Sequence, residues 1–307
     1  MLELHRVRLY ARSGQGGVSA VVILGADNAC EVATRLDEPA TTAVVVTPSL
    51  KADARLDVWR DGMRQEVDGT GLLAAAHVLL GRDGRGPIRF ETGGRVIPVL
   101  READGRLRYR ATLSHEIVGH FDGAEVLSAL GVPPMRVPGD MPFGLAATRR
   151  RILLVPIEDA ATLGAIRPAF TRLAAWSAAH EQAPVLAYAP AHGEMGGADF
   201  IARLFDPLAG RTEETPGPEA VAALVGTLAR RGLAGGLRPV AVAQGRFNAP
   251  VVALQARAEL VVSETGAASR SGVKVWVGGE VRHFGFAAVD GFGISIKGAV
   301  SDLRLGA

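Results

Sequence analysis

The second half of this chain repeats the order of sequence patterns found in the first half. Each half has an aliphatic strand pattern, a helix pattern, a second strand that ends at proline, and an alanine-rich helix with glycine at both ends. The two alanine-rich helices, GTGLLAAAHVLLG and GPEAVAALVGTLARRG, align without a gap and place Gly69 on Gly217. Gly-Gly pairs at 93–94 and 278–279 indicate a hairpin in each half. We therefore predict an internal duplication.

The length and composition suit two globular domains. The chain has 307 residues, of which 48% are hydrophobic and 21% charged, so it can bury a sizeable core in each half. A helix pattern followed by a Pro-rich segment connects the halves. We expect an N-terminal domain at 1–127 and a C-terminal domain at 128–307. We expect the tail at 291–307 to cross back to the first domain or to form a dimer edge.

Charge and cysteine content exclude several kinds of partner. The net charge is +2, and the only dense basic run, at 149–151, fits solvated surface better than an anion contact, so we expect no nucleic-acid partner. Cys30 is the only cysteine, which excludes an intramolecular disulfide, and we expect it to be a small buried apolar residue. The chain has no signal-peptide pattern and no apolar run of membrane-spanning length. These features predict a soluble, cytoplasmic protein without a membrane partner.

The start of the second alanine-rich helix has the features of a ligand site. In RTEETPGPEAVAAL, two carboxylates precede a Pro-Gly-Pro turn, and the helix then begins with an acid in its first turn. The first turn of a helix has unpaired N–H groups and a partial positive charge, which suit a small carboxylate or a polar carbonyl. Because the chain is duplicated, we expect the two helix starts to face each other across a cleft between the domains.

Several segments resemble the PhzF-like isomerases of phenazine biosynthesis, over nearly the whole chain. HRVRLYARSGQGGVSAVVIL is similar to the family's opening strand, Gly-Asn-Pro turn and second strand, and DGTGLLAAAHVLLG to its Gly-His-Pro helix segment. FETGGRVIPV is similar to its hairpin, and RLFDPLAGRTEETPGPEAVAAL to its Arg-Phe-x-Pro…Glu-Asp-Pro-x-Thr-Gly-Ser-Ala segment. The resemblance implies the diaminopimelate epimerase fold, an α+β protein of two pseudo-symmetric domains, each a mixed, barrel-like β-sheet around a central helix. It also implies a cofactor-independent isomerase and points to a homodimer.

Four polar positions of the family have changed in this chain. Ala40 stands where the family has a proton-shuttling Glu, and Thr70 where it has the His of Gly-His-Pro. Glu214 keeps a carboxylate at the position of the Asp in Glu-Asp-Pro, and Pro218-Glu219 replaces Gly-Ser. Glu219 fits either a cleft residue or an acid that the helix dipole favours. The thiol racemases of this fold have a Cys at each helix start, and since neither start has one here, we exclude two-base thiol chemistry.

Three acids are candidate catalytic residues: Glu214, Glu38 and Asp68. Glu38 lies two residues before Ala40 and could reach the vacated position, although LDEPA also fits a surface turn. Glu214 fits either a cleft-lining carboxylate or a solvated turn acid, and Asp68 fits either a helix N-cap or a ligand contact. The predicted substrate-binding residues lie around the former shuttle position and at the two helix starts: Ala40, Thr41, Gly69, Thr70, Gly71, Gly217, Pro218 and Glu219.

Two further motifs, HEIVGH and GTGLLA, each lack a feature that the corresponding function requires. HEIVGH suggests a zinc protease, but its histidines are five residues apart rather than four, so on a helix they point about 140° apart. GTGLLA fits part of a dinucleotide-binding pattern, but the MRQEV before it is too short and charged to be the buried strand that the pattern requires. His77, among alanines and leucines, fits a packed core histidine. We therefore expect no metal and no cofactor.

Two functions remain open from the sequence. The first is a cofactor-independent isomerase or related lyase that moves a proton on a small polar metabolite in the cleft, with Glu214 and either Glu38 or Asp68 as acid and base. The second is a catalytically degenerate relative that binds a small molecule or a protein partner without turnover, because Ala40 and Thr70 have discarded titratable groups. Carboxylates that point into one cleft favour the enzyme, whereas a cleft lined by Ala40, Thr70 and backbone N–H groups favours the binding protein.

Overall fold

The chain forms two compact units, one from Met1–Arg110 with Gly278–Ala307 and the other from Ala111–Val277. The computed structural model describes residues 2–12, 14–25, 29–34, 41–81, 84, 86–113, 115–117, 122–192, 197–209, 213–214, 217–234, 238–245, 251–262, 268–290 and 293–295. The strands are β1 (Leu2–Leu9), β2 (Val18–Leu24), β3 (Thr42–Thr47), β4 (Ala54–Arg60), β5 (Met63–Gln65), β6 (Ile88–Thr92), β7 (Arg95–Arg101), β8 (Leu107–Leu113), β9 (His115–Ile117), β10 (Gly144–Ala147), β11 (Arg151–Pro156), β12 (Val185–Pro190), β13 (Phe200–Phe205), β14 (Val240–Gln244), β15 (Val252–Val262), β16 (Ala268–Gly279), β17 (Val281–Asp290) and β18 (Gly293–Ser295). The helices are α1 (Ala29–Thr34), α2 (Gly69–Leu80), α3 (Gly123–Leu130), α4 (Ala160–Ala165), α5 (Phe170–Ala179) and α6 (Pro218–Arg230), with a 3₁₀ turn at Pro134–Arg136.

The first unit is a mixed sheet in which antiparallel and parallel pairings alternate from β1 to β7. β1 pairs antiparallel with β2, β2 parallel with β3, β3 antiparallel with β4, β4 parallel with β6, and β6 antiparallel with β7. β7 pairs antiparallel with β8, while the other side of β1 pairs with β17, which pairs with β18. The parallel steps occur where α1 and α2 interrupt the strands, because a parallel pair needs a crossover connection.

The second unit repeats the same alternation. β10 pairs antiparallel with β11, β11 parallel with β12, β12 antiparallel with β13, β13 parallel with β14, and β14 antiparallel with β15. Helices α4 and α5 lie in the chain between β11 and β12, and α6 lies between β13 and β14. The predicted α+β architecture of two pseudo-symmetric halves is confirmed in this topology.

An alanine-rich helix packs against the sheet of each unit. Every residue of α2 from Gly69 to Ala76 is buried, and α2 contacts β1, β2, β3, β7 and β17, so the sheet curves around it. In α6 every residue from Ala220 to Ala229 is buried, and the helix contacts β10, β11 and β15. These are the central helices that the sequence predicts. None of the helices in the described part of the chain has the length and apolar character needed to cross a membrane.

One of the two predicted Gly-Gly hairpins is present. Thr92 pairs with Arg95, and the two glycines between them have φ of 53° and 71°. These positive values are those of a type I′ turn, which favours a Gly-Gly pair. The hairpin predicted at 278–279 is wrong, because both glycines lie within β16. A Cβ on Gly278 would overlap the carbonyl oxygen of Leu107, so close approach of the β8 backbone requires glycine there.

The two compact units have other bounds than the domains expected at 1–127 and 128–307, and that division stays a prediction. β17 pairs along the whole of β1, from Leu2 with Val289 to Leu9 with Val281, so the C-terminal part of the chain joins the first unit before residue 291. Within the tail, β18 continues this sheet beside β17. The rest of the tail lies outside the described residues.

Cys30 is exposed, so the prediction that it is buried is wrong. Helix α1 buries Ala29 and Ala33, which lie four residues apart on one face. Cys30 follows Ala29 directly and is therefore rotated by about 100° away from that face.

Candidate functional site

Asp68 caps the first turn of α2 in the first unit. Its Oδ1 accepts a hydrogen bond from the N–H of Gly71 at 2.8 Å, and its Oδ2 lies 2.7 Å from Nη2 of Arg60. A capping bond and an ion pair thus engage both carboxylate oxygens. Of the two alternatives for Asp68, the structure contains the helix cap, which stabilises by about 1 kcal/mol. Its catalytic role stays a prediction.

Arg60 connects the start of α2 with the start of β3. Besides pairing with Asp68, its Nε and Nη2 each donate to the hydroxyl of Thr42 at 3.4 Å. Arg60 and Asp68 are largely buried, so their opposite charges compensate each other within the unit. Sequence reasoning missed Arg60, because its partners lie 8 and 18 residues away.

Among the predicted residues around the former shuttle position, the structure describes Thr41. Thr41 is half-buried and immediately precedes β3. Glu38 and Ala40 lie outside the described residues, so their roles stay predictions.

Thr70 brings a buried hydroxyl to the start of α2. It is 1% exposed, and its Oγ1 lies 3.5 Å from the hydroxyl of Tyr10, the outer limit of a hydrogen bond. Tyr10 has φ of 59°, a left-handed conformation that costs a bulky residue on the order of 1–3 kcal/mol. Its N–H donates to the carbonyl of Glu280 at 2.8 Å, which helps to hold this conformation. Such strain concentrates at functional positions, and Tyr10 is a candidate that sequence reasoning missed.

His77 lies two turns further along α2. Burial, the positive charge of Arg101 and the nearby His283 together lower the pKa of His77 to about 4, with burial the largest cause. Its buried Nδ1 has no hydrogen-bond partner in the described part of the chain. His77 is therefore neutral near pH 7, as expected for a packed histidine.

In the second unit, Gly217 is the N-cap of α6. Its N–H donates to Oε1 of Gln244 at 2.9 Å, and the helix continues with Pro218, which has no N–H, and with Glu219. A Cβ on Gly217 would lie 2.7 Å from Cδ2 of Leu204, so glycine allows the helix start to approach β13. The first intrahelical bond is donated by the N–H of Val221 to Gly217. The N-terminal turn before it has the polarity that attracts an acceptor oxygen or an anion.

Glu219 lies in the first turn of α6 and pairs with the basic run before β11. Its Oε1 is 3.7 Å from Nη2 of Arg149, and both side chains are partly exposed. The next two arginines pair as well, Arg150 with Asp206 and Arg151 with Glu181. Arg149 and Arg150 are exposed, in agreement with the predicted solvated surface, although each has an acidic partner.

The two consecutive acids before α6 have different surroundings. Glu213 accepts from Nη2 and Nε of Arg203 at 2.8 and 3.2 Å, and the side chains are only 5% and 3% exposed. Glu214 forms an antiparallel bridge with Leu204, to whose carbonyl its N–H donates at 2.8 Å. Residues directly opposite each other in an antiparallel pair point to the same face. Because the side chain of Leu204 lies against Gly217, the side chain of Glu214 shares the face that meets the start of α6.

Other features of the described residues lie apart from these helix starts. A cavity of about 420 Å³ in the first unit is lined by charged residues of β4 and of the segments around β5 and the β6–β7 turn, among them Arg55, Asp57, Arg64, Glu66 and Glu91. None of the predicted site residues lines it. HEIVGH begins in the strand β9 and not in the helix that a zinc protease motif needs. In the part of the chain that the structure describes, no three His, Cys, Asp or Glu residues are grouped to hold a metal ion.

Comparison of the structure with solved proteins identifies its fold. A PhzF-family phenazine biosynthesis protein of Bacillus anthracis superposes with a TM-score of 0.74 at 13% identity, over 93% of this chain and 97% of that one. A predicted epimerase of Pseudomonas aeruginosa superposes with a TM-score of 0.68 at 19% identity, over 94% and 99%. A hydroxyproline epimerase of Agrobacterium vitis with bound trans-4-hydroxy-L-proline gives 0.55 at 12% identity, over 93% and 91%.

Comparisons of the sequence alone identify no relatives. No protein-family model matches the chain, and no curated protein matches it. The structural likeness extends over nearly the full length of both chains in each comparison. The chain therefore has the PhzF-like fold that phenazine biosynthesis proteins share with epimerases, as the sequence motifs predict.

Proposed function

We propose that the protein is a cofactor-independent, isomerase-type enzyme that moves a proton on a small metabolite carrying a carboxylate or carbonyl group. The observation that carries this proposal is the position of Glu214, whose side chain shares the face of Leu204 at the start of α6. A proton acceptor next to a helix N-terminus combines a base with a group that stabilises negative charge on an oxygen. The fold supports the proposal, and the epimerase with bound trans-4-hydroxy-L-proline supports a small acid as the substrate class.

Glu214 is the acid that we propose for the proton transfer itself. It would remove a proton from a carbon next to the carbonyl or carboxylate and return it at another position or face. Glu38 is proposed as the second acid–base group, because Asp68 already caps α2 and pairs with Arg60. We propose that Thr41, Thr70 and the backbone of Gly69 and Gly71 belong to the substrate-binding surface of the first unit, and that Gly217, Pro218 and Glu219 belong to that of the second.

A binding protein without turnover is the second candidate. It is favoured by Ala40 and Thr70, which replace the family's Glu and His. The pairing of Asp68 with Arg60 also favours it, since this carboxylate is already engaged. The two candidates differ in whether a bound compound exchanges a carbon-bound proton with solvent.

The test combines ligand binding with deuterium exchange. Thermal unfolding is measured with small aliphatic and aromatic acids and amino acids, including trans-4-hydroxy-L-proline, where a compound at 100 times its Kd adds about 2.7 kcal/mol. Each compound that raises the Tm is then incubated with the protein in D₂O and followed by proton NMR. We expect loss of one carbon-bound proton signal with the wild type. In Glu214→Gln, exchange should fall by about 10²–10⁴-fold while the rise in Tm is retained.

Glu158→Gln is the matched control, because Glu158 is an exposed acid of the same unit that pairs with Arg136. It should exchange at the wild-type rate. One outcome is a compound that raises the Tm of the wild type, Glu214→Gln and Glu158→Gln and yet exchanges no carbon-bound proton with any of them. That result would favour the binding protein. Equal exchange by Glu214→Gln and the wild type would exclude Glu214 as the base.

A further inference from the structure

Gln244 is a fully buried amide at the end of β14, next to the start of α6. Its exposed fraction is 0%, and its Oε1 accepts the hydrogen bond from the N–H of Gly217 at 2.9 Å. The N–H of Gly217 can only donate, so the oxygen of the amide must face it. This contact fixes the orientation of the amide and turns the NH₂ group away from the Gly217 N–H.

Among the described residues, the NH₂ group of Gln244 has no hydrogen-bond partner. Its Nε2 is buried and lies 3.6 Å from the point that a Cβ of Gly217 would occupy. Buried side-chain donors are nearly always hydrogen-bonded, so an unpaired one in a polar helix-start region requires an explanation. The donor therefore lies beside the N-cap residue of a 13-residue helix, on the side where Leu204 also packs against Gly217.

The donors of this helix start are arranged unusually. Gln244 takes up the N–H of Gly217, and Pro218 provides none, so two backbone donors are missing from the end of the helix. The Nε2 of Gln244 supplies a donor in their place. The adjacent Glu219 lies 3.7 Å from Arg149, which partly balances its negative charge.

We infer that Gln244 is a specificity-determining residue, whose Nε2 donates a hydrogen bond to a carbonyl or carboxylate oxygen of a ligand bound at the start of α6. This inference rests on the proposed function and deepens it, because it assigns an acceptor oxygen to the part of the ligand that lies beside Gly217. It also predicts that an amine at that position is rejected, since an amine and Nε2 are both donors.

The test asks whether replacing the donor of Gln244 by an acceptor inverts the preference for ligands with an acceptor oxygen. Three probes of similar size are titrated by NMR and thermal unfolding: benzoate, acetophenone and benzylamine. Benzoate or acetophenone should bind the wild type and shift the side-chain NH₂ resonances of Gln244, while those of the exposed Gln182 stay in place. In Gln244→Glu, one carboxylate oxygen can still accept the hydrogen bond from Gly217. The other oxygen replaces the NH₂ donor with an acceptor. The acceptor probes should then bind at least tenfold more weakly, and benzylamine more tightly than to the wild type.

The wild-type titration needs no variant, so it remains decisive if Gln244→Glu does not fold. Binding of an acceptor probe without a shift of the Gln244 NH₂ resonances would overturn this inference and leave the proposed function standing. Equal binding of the acceptor probes by the wild type and Gln244→Glu would do the same. If neither these probes nor any compound of the acid panel binds the wild type, the proposed small-molecule function fails, and this inference fails with it.

Discussion

Replacing Gly69 by alanine should destabilise the protein because the ring of Tyr109 occupies the space. An added Cβ would lie 2.6 Å from Cε1 and Oη of Tyr109 and 2.7 Å from Cζ, distances that require the ring or the helix to move. Tyr109 is 1% exposed, so it has little room. Overpacking of this kind costs roughly 1–3 kcal/mol. Ala is the better helix former by about 1 kcal/mol in a helix interior, which offsets part of this cost.

Two matched substitutions separate the steric effect from the general effect of Gly→Ala. A Cβ on Gly71 would lie 3.1 Å from Cγ2 of Val58, a contact that a small shift relieves, and nothing lies within 4 Å of a Cβ on Gly86. All three changes restrict the unfolded chain alike. Urea unfolding should therefore rank stability as Gly86→Ala above Gly71→Ala above Gly69→Ala, with about 2–3 kcal/mol between the extremes. Equal stability of Gly69→Ala and Gly86→Ala would refute the packing of α2 against Tyr109.

Two further predictions concern buried charge. Arg203→Met removes the ion pair of the buried Glu213 and the hydrogen bonds that Nη1 donates to the carbonyls of Leu163 and Ile166, and should lower the free energy of unfolding by about 3–5 kcal/mol. Arg203→Met with Glu213→Leu should recover the part of the loss that comes from the buried carboxylate, measured by urea unfolding. If the double variant is no more stable than Arg203→Met, the unpaired charge is not the cause. His77 should titrate with a midpoint of about 4 in an NMR pH series. Because its pKa lies below that of the unfolded chain, its contribution to stability is present above about pH 6.5 and is lost as the pH falls towards 4. His77→Gln should therefore reduce the loss of Tm in that interval, and a midpoint near 6.5 would contradict the burial of the ring.

The parts of the fold that local chemistry determines could be predicted from the sequence. The alanine-rich segments become α2 and α6, and the pair at 93–94 becomes a type I′ hairpin, because propensity and turn geometry act over a few residues. The pair at 278–279 has the same composition but lies within a strand, since the approach of Leu107 requires glycine there. The pairing of β17 with β1 joins segments almost a chain length apart, and no local pattern in the sequence encodes that register.

In the candidate site, likewise, the residues close to each other in sequence could be predicted and the distant ones could not. Glu214, Gly217 and Pro218 follow from the motif that precedes α6, because they are local to the helix start. Tyr10, which directly follows β1, and Gln244, at the end of β14, do not, since they lie 60 and 27 residues from their partners at the helix starts. Side chains that meet a helix start across a sheet carry no spacing signal. Only the tertiary structure shows that a hydroxyl and an amide contribute to these positions.

The charges at the helix starts bear on the choice between enzyme and binding protein. Asp68 is paired with Arg60, and Glu219 has Arg149 as a partner. The groups that the helix starts can offer to a ligand are then largely neutral: the hydroxyls of Thr70 and Tyr10 and the amide of Gln244. Neutral donors bind and polarise an acceptor oxygen, but they do not remove a proton from carbon at neutral pH. Within the described residues, the proposal of catalysis therefore depends on Glu214, which makes its conversion to Gln the most informative single substitution.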